Sequence, residues 1–376
     1  MASLTENRLR GLNDLAERLA EHSNRFRIER YLTPLNRDEL EESLRNSTFD
    51  ASLAVPEPRY ESPPRQGLAD ATALLESIDG SRSFWHRLAA EEMDFTVGMW
   101  AFLQRRDAKE LERITVSRYG LPSPETVAIA RSILDAPEHL DKQYEKSLSS
   151  SEAASFLRER LARVNLRDWR VIVEDRMSSR MSVSSANAVV RVRAGLTFTS
   201  GEVDRLVVHE LGTHVLRAVN GSRQRLRLLS LGLGDYLATE EGLAIWHEEH
   251  FGYLRASDLR RYALRVLGVE VSRRVGMAAA AKELSRWAAP EDVAPVVLRA
   301  KRGVGDASAA GAHVKDHVYL SGFLAVRERI ERDPAVYRYL MAAKCALSQV
   351  PALKDLEQQG YLRDPDLLPE DILSTT

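Results

Sequence analysis

The sequence predicts an α+β protein in which helices predominate. Most of the chain carries apolar residues at intervals of three to four, which is the spacing of one buried helix face. Strand patterns occur at two places: Trp169 to Glu174 is rich in Val and Ile, and Ala188 to Ala194 alternates valines with arginines. A hydrophobic fraction of 44% and a charged fraction of 29% are typical of a soluble globular protein, and 376 residues provide ample core.

Charge, hydropathy and cysteine content exclude several functions. The formal net charge is −2, with 53 basic against 55 acidic residues, so we expect no nucleic-acid partner. No stretch approaches 18 consecutive apolar residues, so we expect no membrane span. Met1 to His22 has the pattern of an amphipathic helix and lacks the apolar run of a secretory signal. Together with the single cysteine, Cys345, this predicts a cytoplasmic protein.

Composition divides the chain into three parts. Residues 1–66 are predicted to form an N-terminal helix followed by an extended Pro-rich arm, residues 67–148 a helical subdomain, and residues 149–376 the domain with the strands and the candidate site. Aromatic residues spaced through the arm favour one that packs on the surface over a free linker. These residues are Phe26, Tyr31, Phe49 and Tyr60.

Helices are predicted in the following order. Before the strands they lie near 68–79, 83–105, 107–118, 122–135 and 151–164. After the strands they lie near 239–250, 256–267, 270–287, 290–301, 316–332 and 334–348, followed by a polar tail.

A candidate metal-binding helix contains His209-Glu210-Leu211-Gly212-Thr213-His214. Zinc-protease helices usually space their two histidines four residues apart, which returns both rings to one face. Five residues of a regular α-helix turn about 500°, which would leave the rings roughly 140° apart and unable to share one small ion. If both rings bind one metal, the helix must therefore be widened, most simply by a π-type bulge. Gly212, which lacks a Cβ, would ease that distortion.

A third ligand is expected from a second string, Thr239-Glu240-Glu241-Gly242-Leu243-Ala244, which is predicted to start a helix with Thr239 as N-cap. Glu240 and Glu241 lie about 100° apart on a helix, so only one can face the metal. The other interpretation is that both acids complement the helix dipole. The nearby string His247-Glu248-Glu249-His250 is interpreted as a solvated helix face because acids flank the histidines.

Together these strings resemble the tyrosine carboxypeptidase family, which includes the microtubule-associated enzymes and bacterial QEGLA-motif proteins. The family's H-E-[IL]-G-T-H motif matches residues 209–214, its QEGLA motif matches residues 240–244, and its K-D-x-x-Y-L-x-G segment resembles residues 315–322. The match spans roughly residues 200–322. It implies a zincin-like metallopeptidase core, with the small sheet before the metal helix. The implied metal is one Zn²⁺, held by His209, His214 and Glu241.

Roles for other residues follow from this chemistry. Glu210 would act as general base toward the attacking water. Tyr319 is the candidate donor to the oxyanion, although its helix position also allows a core role. A carboxypeptidase needs a cation for the substrate's terminal carboxylate. Lys301, Arg302 and Lys315 are the candidates for it; the sequence does not choose among them, and such a residue alone is more often a solvated surface charge.

The function expected is zinc-dependent removal of one C-terminal residue, by resemblance an aromatic one (Tyr or Phe), from a peptide or protein. Two alternatives remain open at this level. One is a zinc amidohydrolase acting on a small peptide-like metabolite, and the other is a zinc-binding regulator without turnover. The sequence makes no prediction about the oligomeric state.

Overall fold

Helices account for most of the computed structural model, which describes residues 4–137, 146–175, 177 and 179–374. The predicted α+β class with predominant helix is confirmed, and the first three residues of the predicted N-terminal helix lie outside the described ranges. None of the described helices is long and apolar enough to cross a membrane.

The N-terminal half is a series of helices, several of which begin where a side chain caps the first turn. The hydroxyls of Ser83 and Ser123 and the carboxylate of Asp107 each accept a hydrogen bond from a backbone N–H three residues on. The helices are α1 (Glu6–Arg25), α2 (Ile28–Leu32), α3 (Arg37–Ser47), α4 (Arg65–Glu76), α5 (Phe84–Arg105), α6 (Ala108–Tyr119), α7 (Pro124–Asp135) and α8 (Ser150–Arg163).

The N-terminal arm packs against the helices along much of its length. Phe26 and Tyr31 enclose the fully buried Trp100, with ring centroids 5.8 and 5.6 Å away. Further along, the Tyr60 hydroxyl donates to the Val304 carbonyl at 2.9 Å. Phe49 differs from the other aromatics because 74% of it is exposed.

The strands form two small sheets immediately before the candidate metal helix. They are β1 (Ser147–Ser149), β2 (Arg170–Glu174), β3 (Met181–Ser184), β4 (Val189–Arg193) and β5 (Thr197–Thr199). In the larger sheet β4 lies between a parallel β2 and an antiparallel β3, and β1 pairs with β5. The alternation of valines with arginines predicts a half-buried strand at β4, with the arginines exposed. This prediction is wrong, because Arg191 is buried and its guanidinium lies 2.9 Å from the Glu174 carboxylate.

The C-terminal half contains α9 (Ser200–Leu206), a π-helical segment (Val207–Val215), α10 (Leu216–Ser222), α11 (Tyr236–His250), α12 (Ala256–Arg274), α13 (Met277–Leu284), α14 (Pro290–Ala300), α15 (Val318–Arg332), α16 (Val336–Ala342), α17 (Val350–Gln358) and α18 (Pro369–Leu373). The predicted break near residue 268 is wrong, because Gly268 lies inside α12 at a close approach to Val296. The predicted polar tail is also wrong, since Ile372 is buried and a methyl group on Gly212 would contact Pro369.

Two glycines set the separation between the helices that carry much of the site. Gly242 on α11 faces Gly322 on α15, and a Cβ on either residue would overlap the backbone of the other helix. The two backbones therefore approach more closely than larger side chains would allow. This crossing fixes Glu241 on α11 relative to Tyr319 on α15.

Candidate metal centre

The π-helical segment brings the two motif histidines to one face. The N–H of Leu216 donates to the carbonyl of Leu211, five residues back, as a π-helix requires. The Thr213 hydroxyl donates to the carbonyl of Val208 at 3.2 Å, also across five residues. The rings of His209 and His214 consequently lie with centroids 5.0 Å apart. This confirms the widened turn predicted from the five-residue spacing.

Glu241 completes a group of three that could hold a metal ion. Its Oε2 lies 3.4 Å from Nε2 of His209 and 3.6 Å from Nε2 of His214. Nitrogen and oxygen ligands of a tetrahedral zinc ion lie about 3.3 Å apart, given metal–ligand distances near 2.0–2.1 Å. All three residues are buried, with exposures of 6–9%. The spacing and chemistry of the three groups therefore fit a metal ion.

A further carboxylate contacts Nδ1 of each histidine, the ring nitrogen that does not face Glu241, and so orients the ring. Nδ1 of His209 lies 2.7 Å from Oε1 of Glu248, and Nδ1 of His214 lies 2.9 Å from Oε1 of Glu240. A ring whose Nδ1–H donates to a carboxylate presents a bare Nε2 to a metal. Both Nε2 atoms face Glu241, so the hydrogen bonds select the tautomer that a shared ion needs.

Buried cations in turn hold these two carboxylates. Glu240 pairs with the Arg217 guanidinium and with Nζ of Lys344, the latter at 2.8 Å. Burial alone would raise the pKa of Glu240, but the positive charges of Arg217 and Lys344 outweigh it and hold the pKa below its ordinary value. Glu248 pairs with Arg205 at 2.8 Å and accepts a hydrogen bond from the Tyr262 hydroxyl at 3.2 Å.

The surrounding carboxylates favour protonation of both histidine rings. Burial opposes a charged ring at His209, yet hydrogen bonds to Glu241 and Glu248 outweigh it and raise the pKa of His209 to about 10. Burial likewise opposes protonation of His214, and its hydrogen bonds to Glu240 and Glu241 raise its pKa. A metal ion must therefore displace protons that the surrounding carboxylates stabilise.

Two predictions about α11 are wrong. The helix begins at Tyr236, so Thr239 is not its N-cap; the Thr239 hydroxyl instead accepts a hydrogen bond from the N–H of Leu347 at 2.9 Å. The string from His247 to His250 is only half solvated, because His247 and Glu248 are fully buried. His247 lies between the Thr213 hydroxyl at 2.7 Å and the Tyr337 hydroxyl at 3.1 Å.

The two residues predicted to act in catalysis lie beside the three metal-binding groups. Glu210 is buried on the π-helical segment, and its carboxylate makes no hydrogen bond or ion pair with any described residue. The Tyr319 hydroxyl donates to Oε1 of Glu241 at 3.2 Å. Burial, reinforced by the charge of Glu241, raises the pKa of Tyr319, so its phenol stays a neutral donor at neutral pH.

The three predicted substrate-binding cations differ sharply in their surroundings. Lys301 is fully buried, and its ammonium donates to the carbonyls of Ser272, Val275, Ala309 and Gly311 at 2.6–2.8 Å. Three protons shared among four acceptors leave none for a substrate, so Lys301 is a structural residue and the prediction is corrected.

Arg302 and Lys315 lie in a different setting. Nη2 of Arg302 binds Oδ1 of Asp316 at 3.2 Å. Nζ of Lys315 makes no hydrogen bond or ion pair within the described part of the chain. Burial and the neighbouring Arg302 lower the pKa of Lys315, while the charge of Glu241 raises it. The charge of Glu29 also raises this pKa.

These features define a helical protein with a buried group of side chains that could hold a metal ion, and comparison with known proteins specifies its family. A family model described as microtubule-associated tyrosine carboxypeptidase matches residues 55–376. The chain therefore belongs to this family, as the motifs indicated.

Individual relatives match shorter segments. The chain is 36% identical over 132 residues to human microtubule-associated tyrosine carboxypeptidase 1, covering 33% of this chain and 27% of the relative. It is 30% identical over 172 residues to human putative tyrosine carboxypeptidase MATCAP2, and this match covers 44% of this chain and 32% of the relative. The matched segments thus span about a quarter to a third of these curated relatives.

Proposed function

We propose that this protein is a zinc-dependent metallocarboxypeptidase with a zincin-like core that removes one C-terminal aromatic residue, Tyr or Phe. The observation that carries the proposal is the meeting of His209, His214 and Glu241 at the separations of a tetrahedral site, with the unpaired carboxylate of Glu210 on the same helical turn. The carboxypeptidase names of the relatives support the reaction class, and those of the family and its members support the aromatic residue.

The ligand set favours zinc. Two imidazoles and one carboxylate leave one position of a tetrahedral ion open, which is the pattern of catalytic zinc sites. Zn²⁺ held there would supply a water with a pKa near 7 and polarise the scissile carbonyl. The chain's single cysteine, Cys345, is not among the described side chains that come together as possible ligands.

The protein's own residues carry the proton transfers. Glu210 accepts a proton from the attacking water and later delivers it to the leaving amine. Its freedom from other partners supports this role, because a carboxylate already bound by a cation would be a weaker base. The Tyr319 phenol has one hydrogen, which it donates to Glu241 in the free site. It would transfer this hydrogen bond to the oxyanion that develops on the scissile carbonyl. Arg302 and Lys315 remain candidates for the substrate carboxylate.

The experiment is a panel of peptides that differ only in the last residue, incubated with the zinc-loaded protein and analysed by mass spectrometry. We expect loss of a single terminal Tyr or Phe. Glu210→Gln should retain its zinc and lose at least about 100-fold in rate, because general base catalysis contributes 10²–10⁴-fold. Cleavage of small non-peptide amides alone, or stoichiometric zinc without any turnover, would replace this function with amidohydrolysis or a regulatory role.

A further inference from the structure

Several arginines lie next to Tyr319 and to Asp316, which precedes it by three residues. Asp316 is buried and is bound by Arg299 through two nitrogens and by Arg302 through one. Burial raises the pKa of Asp316, but the positive charges of Arg299, Arg302 and Arg265 outweigh burial and lower it. Two arginines thus bind this carboxylate, and a third acts on it through its charge. Partly buried positive charge of this kind is costly without an anionic partner, which a ligand can supply.

Arg265 is the cation in this group whose guanidinium has no anion of its own. It lies on α12, half-buried, with Cζ 4.4 Å from the ring centroid of Tyr319 and 5.5 Å from that of Tyr262. The two rings are stacked, with an interplanar angle of 5° and centroids 5.7 Å apart. Among the residues that the structure describes, none accepts a hydrogen bond from Arg265 or forms an ion pair with it.

The position of Arg265 fits the reach of a terminal carboxylate. In a peptide, the terminal carboxylate carbon lies only about 4 Å from the carbon of the scissile carbonyl, since three bonds of standard length connect them. The receptor must therefore lie close to the groups that surround the metal. One aromatic ring separates Arg265 from Glu241, because the Tyr319 ring under the guanidinium donates through its hydroxyl to that carboxylate.

We propose that Arg265 binds the α-carboxylate of the substrate's C-terminal residue through a bidentate guanidinium fork. This inference rests on the proposed function and specifies how the enzyme would recognise a chain end. Arg299 and Arg302 both bind Asp316, whereas Arg265 has no anionic partner among the described residues. A planar fork matches the two oxygens of a carboxylate, which neither a C-terminal amide nor a continuing chain supplies.

A purely structural role for Arg265 makes a different prediction. A guanidinium over the stacked rings of Tyr262 and Tyr319 contributes a cation–π attraction whatever the substrate. In that case a variant would alter stability and the binding of all peptides alike. Recognition of a carboxylate instead requires that a variant weaken binding of the free acid and leave the corresponding amide unchanged.

The test measures binding of acetyl-Phe-Tyr and of its C-terminal amide to the zinc-loaded Glu210→Gln protein by titration calorimetry. With Arg265 intact, we expect the acid to bind about 10–100-fold more tightly than the amide, the range for charge-assisted hydrogen bonds. Arg265→Met should reduce affinity for the acid to that for the amide. The matched control is Arg274→Met on the same helix, where the exposed side chain pairs with Glu283 at 2.8 Å. This control should keep the preference.

Zinc content and thermal unfolding establish that each variant is folded. If Arg265→Met does not fold, Arg265→Lys keeps a positive charge over the rings but lacks the fork, and it should still lose most of the acid preference. An acid preference that survives either folded Arg265 variant overturns the proposal, as does failure of the intact site to distinguish acid from amide.

The two proposals fail in different ways. Acid preference that depends on Arg265, without hydrolysis of any peptide by the wild-type protein, would support the carboxylate site and refute the peptidase. Release of a terminal residue whose acid preference is independent of Arg265 would refute the carboxylate site alone.

Discussion

Replacing Glu248 with Gln tests whether the carboxylate behind His209 supports the metal. Glu248 is fully buried, with Oε1 2.7 Å from Nδ1 of His209 and 2.8 Å from the guanidinium of Arg205. Its chain neighbour Glu249 provides a matched control, since that side chain is 41% exposed and pairs with Arg327 at 3.3 Å. The two substitutions are chemically identical and differ only in what the carboxylate contacts.

The expected magnitudes follow from those contacts. The amide of Glu248→Gln retains one oxygen for Nδ1 of His209 but loses the negative charge, so we expect zinc affinity to fall about 10–100-fold. Removing one partner of a buried ion pair costs about 3–5 kcal/mol. We expect the lower end, about 3 kcal/mol of unfolding free energy, because Arg205 still faces Asp258 at 3.4 Å. For the exposed Glu249→Gln, the loss should be below about 1 kcal/mol.

Zinc affinity is measured by competition with a chromophoric chelator at neutral pH, and stability by urea unfolding of the metal-free protein. Equal zinc affinity for Glu248→Gln and Glu249→Gln would refute the idea that the carboxylate behind His209 tunes the ligand. A loss of stability without a loss of zinc affinity would limit Glu248 to a structural role.

Three further predictions address packing, a buried lysine and protonation. Gly242→Ala should destabilise the protein by about 3 kcal/mol, as measured by urea unfolding, and should weaken zinc binding because it displaces Glu241. The control is Gly11→Ala, where a methyl group meets no neighbour, and it should not destabilise the protein. Lys301→Met should cost about 3 kcal/mol or more by leaving carbonyls unpaired, with unchanged preference for acid over amide peptides in the folded protein. Zinc binding should release protons and should strengthen as the pH rises from neutral toward 10, because the raised pKa of His209 keeps its ring protonated until zinc displaces the proton. Calorimetry in buffers of different ionisation enthalpy measures this release, and zinc binding without proton release would contradict the prediction.

The widened turn was predictable because it depends only on local geometry. A five-residue interval between His209 and His214 is incompatible with a shared ion on a regular helix, so the spacing itself specified a π-type distortion. The choice of Glu241 over Glu240 came from the family motif, since helix phase alone showed only that one of the two could face the metal. The sequence could not reveal which acid lies behind each histidine, because that depends on how α11 crosses the π-helical segment.

Buried charge was the main source of error. Glu248 follows a histidine and precedes another acid, a composition typical of a solvated face. It is nevertheless buried, because it pairs with Arg205, which lies 43 residues earlier in the chain. Lys301 looked like a surface cation and instead joins α12 to the loop after α14. Arg265 carried no sequence signal at all, since its relevance arises from the stacked rings beneath it. Long-range partners decide the burial of such charges, and spacing does not encode them.

Glycine and short strands limited the prediction of the fold. Gly268 suggested a helix break, but its missing side chain serves a close approach to Val296 inside a continuous α12. The strands β1 and β3 are rich in serine and have weak strand propensity. Pairing with β5 and β4 holds them in place, and that information is tertiary.

The most direct test of the metal centre is the X-ray absorption spectrum of the zinc-loaded protein at the zinc edge. The site built from His209, His214 and Glu241 predicts a first shell of nitrogen and oxygen near 2.0–2.1 Å with outer-shell scattering from two imidazoles, and His214→Ala should reduce that to one. A sulfur contribution near 2.3 Å, or two imidazoles persisting in His214→Ala, would contradict the account.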